Sequence, residues 1–188
     1  MNDSIRNILQ RRSIRKFRPD QFPRAELEAI VQAGLFAPSA RNRQPWHITV
    51  LRGLERIAAL NAEVKAATAR MPDNHYKAMV GASGYSINYH APTFILVSGD
   101  PELSALAQVD CALVMQNMML AACSLGLGSC WINQLGPLNG EAGFRQVLDK
   151  LQVPAQNRVY ACLALGYVQG EQPPAPERKS GTVTYIGE

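Results

Sequence analysis

The 188-residue sequence predicts an α+β fold, on three observations. Segments that read as strands and helices alternate irregularly, without the strand–helix–strand rhythm of a doubly wound sheet. The glycine-bearing stretch "LGLGSCWI" fails as a dinucleotide fingerprint, because Trp131 stands where the third glycine counted from Gly126 is required. It also follows a helical pattern and leads into a strand, the reverse of the order such a site needs. Hydrophobic residues make up 47% of a chain with no internal repeat and no interdomain linker, so residues 1–188 read as one domain with a sizeable core.

The elements follow in order. Asp3 or Ser4 caps a short helix whose Ile5, Ile8 and Leu9 share one face. Arg11 to Phe17 is a loop or extended segment ended by Pro19. Pro23 opens a second helix, with Leu27, Ile30, Val31 and Leu35 at helical spacing, and Pro38 stops it near Ala37. "PSARNRQPW" is a polar loop leading into the strand "HITVL". A third amphipathic helix runs from Leu54 to about Ala69, and the aperiodic "MPDNHYKAMVGASGYSINYHAP" is a loop or lid. "TFILVSG" is a buried strand, and Asp100-Pro101 starts a long apolar helix reaching about Leu125. "GSCWI" is a short strand, Phe144, Val147, Leu148 and Leu151 mark a helix, and "RVYACLALGYV" is a strand. The Pro-rich tail, about 170–188, runs extended over a surface.

Charge and composition narrow the classes of function. The net charge of +4 is modest, and the basic residues are spread from Arg6 to Lys179 rather than gathered in one stripe. Cys111, Cys123, Cys130 and Cys162 lack a CxxC pair and sit among apolar neighbours, which predicts reduced, buried thiols and no zinc site. The N-terminal "MNDSIRNILQRRS" has no apolar signal region, so a cytoplasmic protein is expected. The uncharged run Cys111–Ile132 is long enough to span a bilayer, but Gln116 and Asn117 interrupt it, Gly126 and Gly128 break it, and no basic cluster flanks it. A helix buried in a protein core is the expectation, with no membrane partner.

The chemistry-bearing stretch is "RRSIRKFRPD", with five basic residues between Arg11 and Arg18. Arg11, Arg12, Ser13 and Arg15 form a compact anion trap: arginine forks suit phosphate oxygens, and the hydroxyl adds a neutral donor. A nucleic-acid module using Arg11–Arg18 is an alternative, but Phe17 is the lone aromatic able to stack a base there. Asn42 and Gln44 offer amides able to read the edge of a planar heterocycle, on a loop stiffened by Pro38 and Pro45. Gly126 and Gly128 let main chain approach a ligand closely. Arg178-Lys179 is a second cationic pair. His47, His75 and His90 share no metal-ligand spacing, and neither a Ser/His/Asp arrangement nor a carboxylate pair stands out. An enzyme with no evident side-chain catalyst points to a cofactor that carries the reaction.

These pieces, in this order, resemble the FMN-dependent nitroreductase family. "RRSIRKF" resembles its phosphate and flavin motif, and "APSARNRQPWHITV" its Pro-Ser-x-x-Asn-x-Gln-Pro-Trp motif. "DCALVMQNMMLAACSLGLGSCWI" resembles the long central helix with the strand after it, and "ACLALGYVQGEQPPAPERK" the last core strand with its basic tail. The resemblance implies a mixed, mainly antiparallel sheet flanked by helices, in an intertwined homodimer that binds FMN at the interface with the tail packed on the partner subunit. Carried over by position, Arg11, Arg12 and Ser13, with Arg178 or Lys179, would hold the FMN phosphate. Arg15 would sit beside the N1/O2 edge of the flavin, where a cation stabilises the anionic reduced ring. Pro38, Ser39, Ala40, Asn42 and Gln44 would come from the partner subunit, and backbone groups of Ile132, Asn133 and Gln134 would lie near flavin N5. The long helical excursion of larger family members is short here, roughly 61–90, where Asn74, His75, Tyr76 and Tyr85 are candidates to touch substrate.

The activity so implied is transfer of hydride from NADH or NADPH to the flavin, then of electrons to a small planar acceptor: a nitroaromatic, a quinone or an activated alkene. A non-catalytic flavin-binding protein is the alternative reading.

Overall fold

The computed structural model describes residues 1–72 and 75–187. In chain order its elements are α1 (Asp3–Gln10), α2 (Arg24–Leu35), β1 (Trp46–Arg52), α3 (Leu54–Arg70), α4 (His75–Val80), β2 (Thr93–Gly99), α5 (Ala107–Ser124), β3 (Gly128–Ile132), α6 (Ala142–Lys150) and β4 (Arg158–Gly166). The four strands form one antiparallel sheet in the order β1-β2-β4-β3. The α+β expectation is therefore met.

The sheet divides two apolar layers, and the strand period of two assigns each residue to a layer. Phe94 and Leu96 of β2, with Cys162 and Ala164 of β4, pack among Ile57, Leu60 and Val64 of α3 and Phe144, Val147 and Leu148 of α6. Ile95 and Val97, with Ala161, Leu163 and Leu165, face the opposite layer of Ile30 from α2 and Val114, Met115 and Met118 from α5. All seven residues of β2 are buried, which is why it reads as an unbroken apolar run rather than an alternation. At Gly34 a Cβ would lie 2.8 Å from Met118 Cγ, so the glycine sets how closely α2 meets α5.

Several boundaries differ from the sequence expectation. Asn2, not Asp3 or Ser4, caps α1: its Oδ1 accepts from Ile5 N at 2.9 Å, while Asp3 pairs with Arg6. Ile5, Ile8 and Leu9 are all exposed. The long apolar helix begins at Ala107, because Asp100 spends its carboxylate on a turn, accepting from Glu102 N at 2.8 Å and Leu103 N at 3.2 Å. The supposed lid contains a helix, α4, whose six residues are too few to show a periodicity. β4 ends at Gly166, after which Val168 bridges to Phe17.

The run Cys111–Ile132 is split between α5, a left-handed turn at Gly126 and β3. No helix among the described residues is long and apolar enough to cross a membrane. Cys111, Cys130 and Cys162 are free and buried, as expected, and Cys123 is half-buried. Burial pushes the Cys111 thiol up to about 12, which keeps it protonated and inert.

Candidate functional site

The segment Arg11–Phe17 is an added edge on the sheet. Ile14 N donates to Ser129 O at 2.9 Å and Ser13 bridges Ser129, while Gln169 N donates to Lys16 O at 3.0 Å. Ile14 and Phe17 turn into the core. Arg15 is left facing a cavity of about 490 Å³. Trp131, Ile132, Asn133 and Gln134 at the end of β3 form one wall of that cavity, and residues between His75 and His90 form the other.

Two features shape the second wall. Tyr89 and His90 adopt left-handed backbone (φ 54° and 59°), an uncommon conformation for non-glycine residues that surrounding contacts must enforce. Those contacts come from Asn61, whose Oδ1 accepts from Ile87 N at 3.2 Å, and from buried Asn88, which donates to Ala91 O at 2.6 Å. The Tyr89 ring centroid lies 5.8 Å from the Arg15 guanidinium. Hydrogen bonding to Tyr89 is the main influence holding Arg15 above its ordinary pKa, and its guanidinium is charged at any working pH.

Across the cavity, the Tyr85 hydroxyl donates to Gln134 Oε1. Gln134 is only 5% exposed, and its Nε2 is sealed from water without a hydrogen-bond partner. An unpaired buried amide costs about 1–3 kcal/mol, so a ligand oxygen that reached it would be favoured. Burial pushes the Tyr85 hydroxyl up to about 12, and the Lys65 ammonium lies 5.3 Å from its ring centroid.

The expected site residues separate into groups. Arg15, Ile132, Asn133 and Gln134 come together around the cavity, with His75, Tyr76 and Tyr85 of the substrate candidates. Asn74 lies outside the described residues. Arg11 and Arg12 flank a smaller recess of about 70 Å³ beside Ser129 and Gly126. Arg12 Nη1 is committed to carbonyls at the end of α1 (Leu9 O at 2.7 Å, Arg11 O at 2.9 Å), although its Nε is buried without a partner. Pro38, Ser39, Ala40, Asn42 and Gln44 line no part of the large cavity in their own chain. Arg178 and Lys179 lie exposed on the tail.

The Pro38–Gln44 loop is nonetheless built tightly. Ser39 Oγ accepts from Gln44 N at 3.0 Å, Gln44 Nε2 donates to Asn42 Oδ1 at 2.8 Å, and Arg41, Asn42 and Gln44 all have positive φ. Asp110, 2% exposed in the first turn of α5, anchors it by accepting from Ala40 N at 3.0 Å and from Ser104 Oγ at 3.1 Å. Sequence reasoning missed Asp110, Tyr89 and Trp131. A lone acid at the head of an apolar helix was the available signal for Asp110, whereas nothing local distinguishes Tyr89 or Trp131.

Among the described lining residues, the cavity holds a fixed cation, aromatic walls and an unpaired donor, with no Asp or Glu. That donor set fits a planar ligand that carries oxygen acceptors and gathers negative charge on reduction, as the isoalloxazine of FMN does. The fold and site thus define an α+β protein whose cavity suits a flat ligand with oxygen acceptors. The chain belongs to the Nitroreductase family, whose pattern matches residues 8–167. It is similar to a nitroreductase from Bacteroides fragilis solved with bound FMN (38% identity, 99% of this chain and 100% of that one, TM-score 0.93). A nitroreductase from Desulfitobacterium hafniense, also solved with FMN, is 30% identical over 99% of each chain, with TM-score 0.86. An NADPH-flavin oxidoreductase from Vibrio harveyi is 31% identical over 89% of this chain and 66% of its own.

Proposed function

We propose that this chain is an FMN-dependent oxidoreductase that takes hydride from NADH or NADPH and passes electrons to a small planar acceptor, a nitroaromatic, quinone or activated alkene. The observation that carries the reading is Arg15 and the end of β3 facing one aromatic-walled cavity, in a chain whose relatives are solved with FMN. Bound FMN would supply the two-electron chemistry, accepting and returning hydride equivalents at its ring.

The protein's part is placement and charge. Arg15, held against Tyr89, would stabilise negative charge gathering at the ring edge. Backbone groups of Ile132, Asn133 and Gln134 would face the reacting position, and Trp131, Tyr76 and Tyr89 would limit water and align flat molecules. Arg11, Arg12 and Ser13, joined by Arg178 or Lys179, would hold the phosphate.

The remaining contacts, from Pro38, Ser39, Ala40, Asn42 and Gln44, would be supplied by a second copy of the chain. The exposed apolar residues support a homodimer: Ile5, Ile8 and Leu9 on α1, Leu106, Val109 and Leu113 around the start of α5, and Val183, Tyr185 and Ile186 on the tail. A cytoplasmic location accords with free thiols throughout.

The test is the visible absorption spectrum of the purified protein, recorded without oxygen before and after adding NADH or NADPH separately. A bound flavin that bleaches supports the reading and identifies the donor. A flavin that persists favours a non-catalytic binding protein. No flavin, even after incubation with FMN, overturns both.

A further inference from the structure

We infer that the Gln134 side-chain amide, aimed by the Tyr85 hydroxyl, is the hydrogen-bond donor that selects an oxygen-bearing planar ligand in the cavity. The inference rests on the reading of that cavity as the flavin and acceptor site.

Tyr85 and Gln134 stand on opposite walls, 49 residues apart in sequence, and their side chains meet across the cavity margin. The direction of that bond decides what is left over. The phenol gives its proton to Oε1, so the amide oxygen is occupied and both Nε2 hydrogens remain unspent. Nε2 has no hydrogen-bond partner. Rotation about the last torsion of glutamine is soft, so a small turn brings Nε2 toward the cavity. The Lys65 ammonium, 5.3 Å from the Tyr85 ring centroid, restrains the phenol that sets this orientation.

A ligand oxygen pairs the orphaned donor, whereas a flat ligand presenting only C–H or N–H at that edge leaves it buried and unpaired. Such mismatches discriminate far better than apolar contacts do. The oxygen has two sources, a ring carbonyl of the flavin or the nitro or carbonyl group of the acceptor. In either case Tyr85 is a positioning residue that acts through Gln134.

The test uses the FMN-loaded protein with Gln134→Leu and Tyr85→Phe. FMN affinity is read by flavin fluorescence. Selectivity is read as kcat/KM for a naphthoquinone divided by that for ferricyanide, an acceptor that needs no seat in the cavity. If the oxygen belongs to the acceptor, this ratio falls about tenfold in Gln134→Leu and about threefold in Tyr85→Phe, the loss carried by KM. If it belongs to the flavin, FMN affinity falls about tenfold in Gln134→Leu while the ratio holds, and the donor role stands with that source. Both quantities within about twofold of the parent in both variants overturn the inference. A parent protein that binds no FMN overturns the functional reading and this inference with it.

Discussion

The two halves of the candidate site are ordered in opposite ways. Arg15 and the end of β3 are assembled by sheet hydrogen bonds and converge on a cavity within their own chain. The Pro38–Gln44 loop is as firmly made, with internal hydrogen bonds, three left-handed residues and a buried anchor at Asp110, yet none of its residues lines the cavity that Arg15 faces. Backbone held in sparsely populated conformations persists only where its surroundings over-determine it, and it concentrates at functional sites. In the proposed dimer, this exposed loop would meet a second copy of the chain with its flavin.

Substitutions in the two halves should separate chemistry from binding. Arg15→Ala is expected to have the largest effect. Flavin reduction by NAD(P)H, followed by anaerobic stopped flow, should slow about a hundredfold, the scale on which a stabilising donor aimed at developing charge is worth. FMN affinity should change less, because the phosphate contacts remain. Unchanged reduction kinetics would remove Arg15 from its assigned role.

Asp110→Ala tests the other half. Losing the acceptor for Ala40 N and Ser104 Oγ should loosen the loop and weaken FMN binding about tenfold, while Asp110→Asn, which keeps an oxygen for Ala40, should recover most of it. Equal losses in both variants would point to the carboxylate charge, placed at the head of α5, rather than to the hydrogen bond.

The smallest effect lies outside both halves, where Arg70 pairs with Glu141 at 2.8 Å and ties the end of α3 to the cap of α6. Arg70 first, then the backbone N–H of Phe144, hold Glu141 down to about 2. A folded-state pKa below the unfolded value contributes stability that is present above the unfolded carboxylate range and is lost as pH falls toward 2. Glu141→Gln should therefore flatten the decline of the melting temperature across that acid range and leave FMN affinity near the parent value. A shifted FMN affinity would show that this pair also braces the cavity.

Much of this was legible in the sequence for a physical reason. The β2 and β4 runs, the α3 and α6 stripes and the arginine-rich edge are patterns among near neighbours, set by the period of each element and by side-chain chemistry. Pro38 and Pro45 bound a stiff loop, and Asn42 and Gln44 stand out on it, without knowledge of any distant residue. The start of α5 was misplaced because the Asp100 carboxylate competes locally with helix, and α4 was missed because six residues show no period.

Tertiary structure alone decided the pairings across the chain. Tyr89 beside Arg15, Tyr85 on Gln134 and Asp110 under Ala40 join residues 49 to 74 positions apart by subtraction of their numbers. No local periodicity encodes such meetings, because they depend on how the sheet order and the β3 edge bring separate segments together. The residue types that carry the chemistry are written along the chain, and the fold determines which of them share a cavity and which lie apart from it.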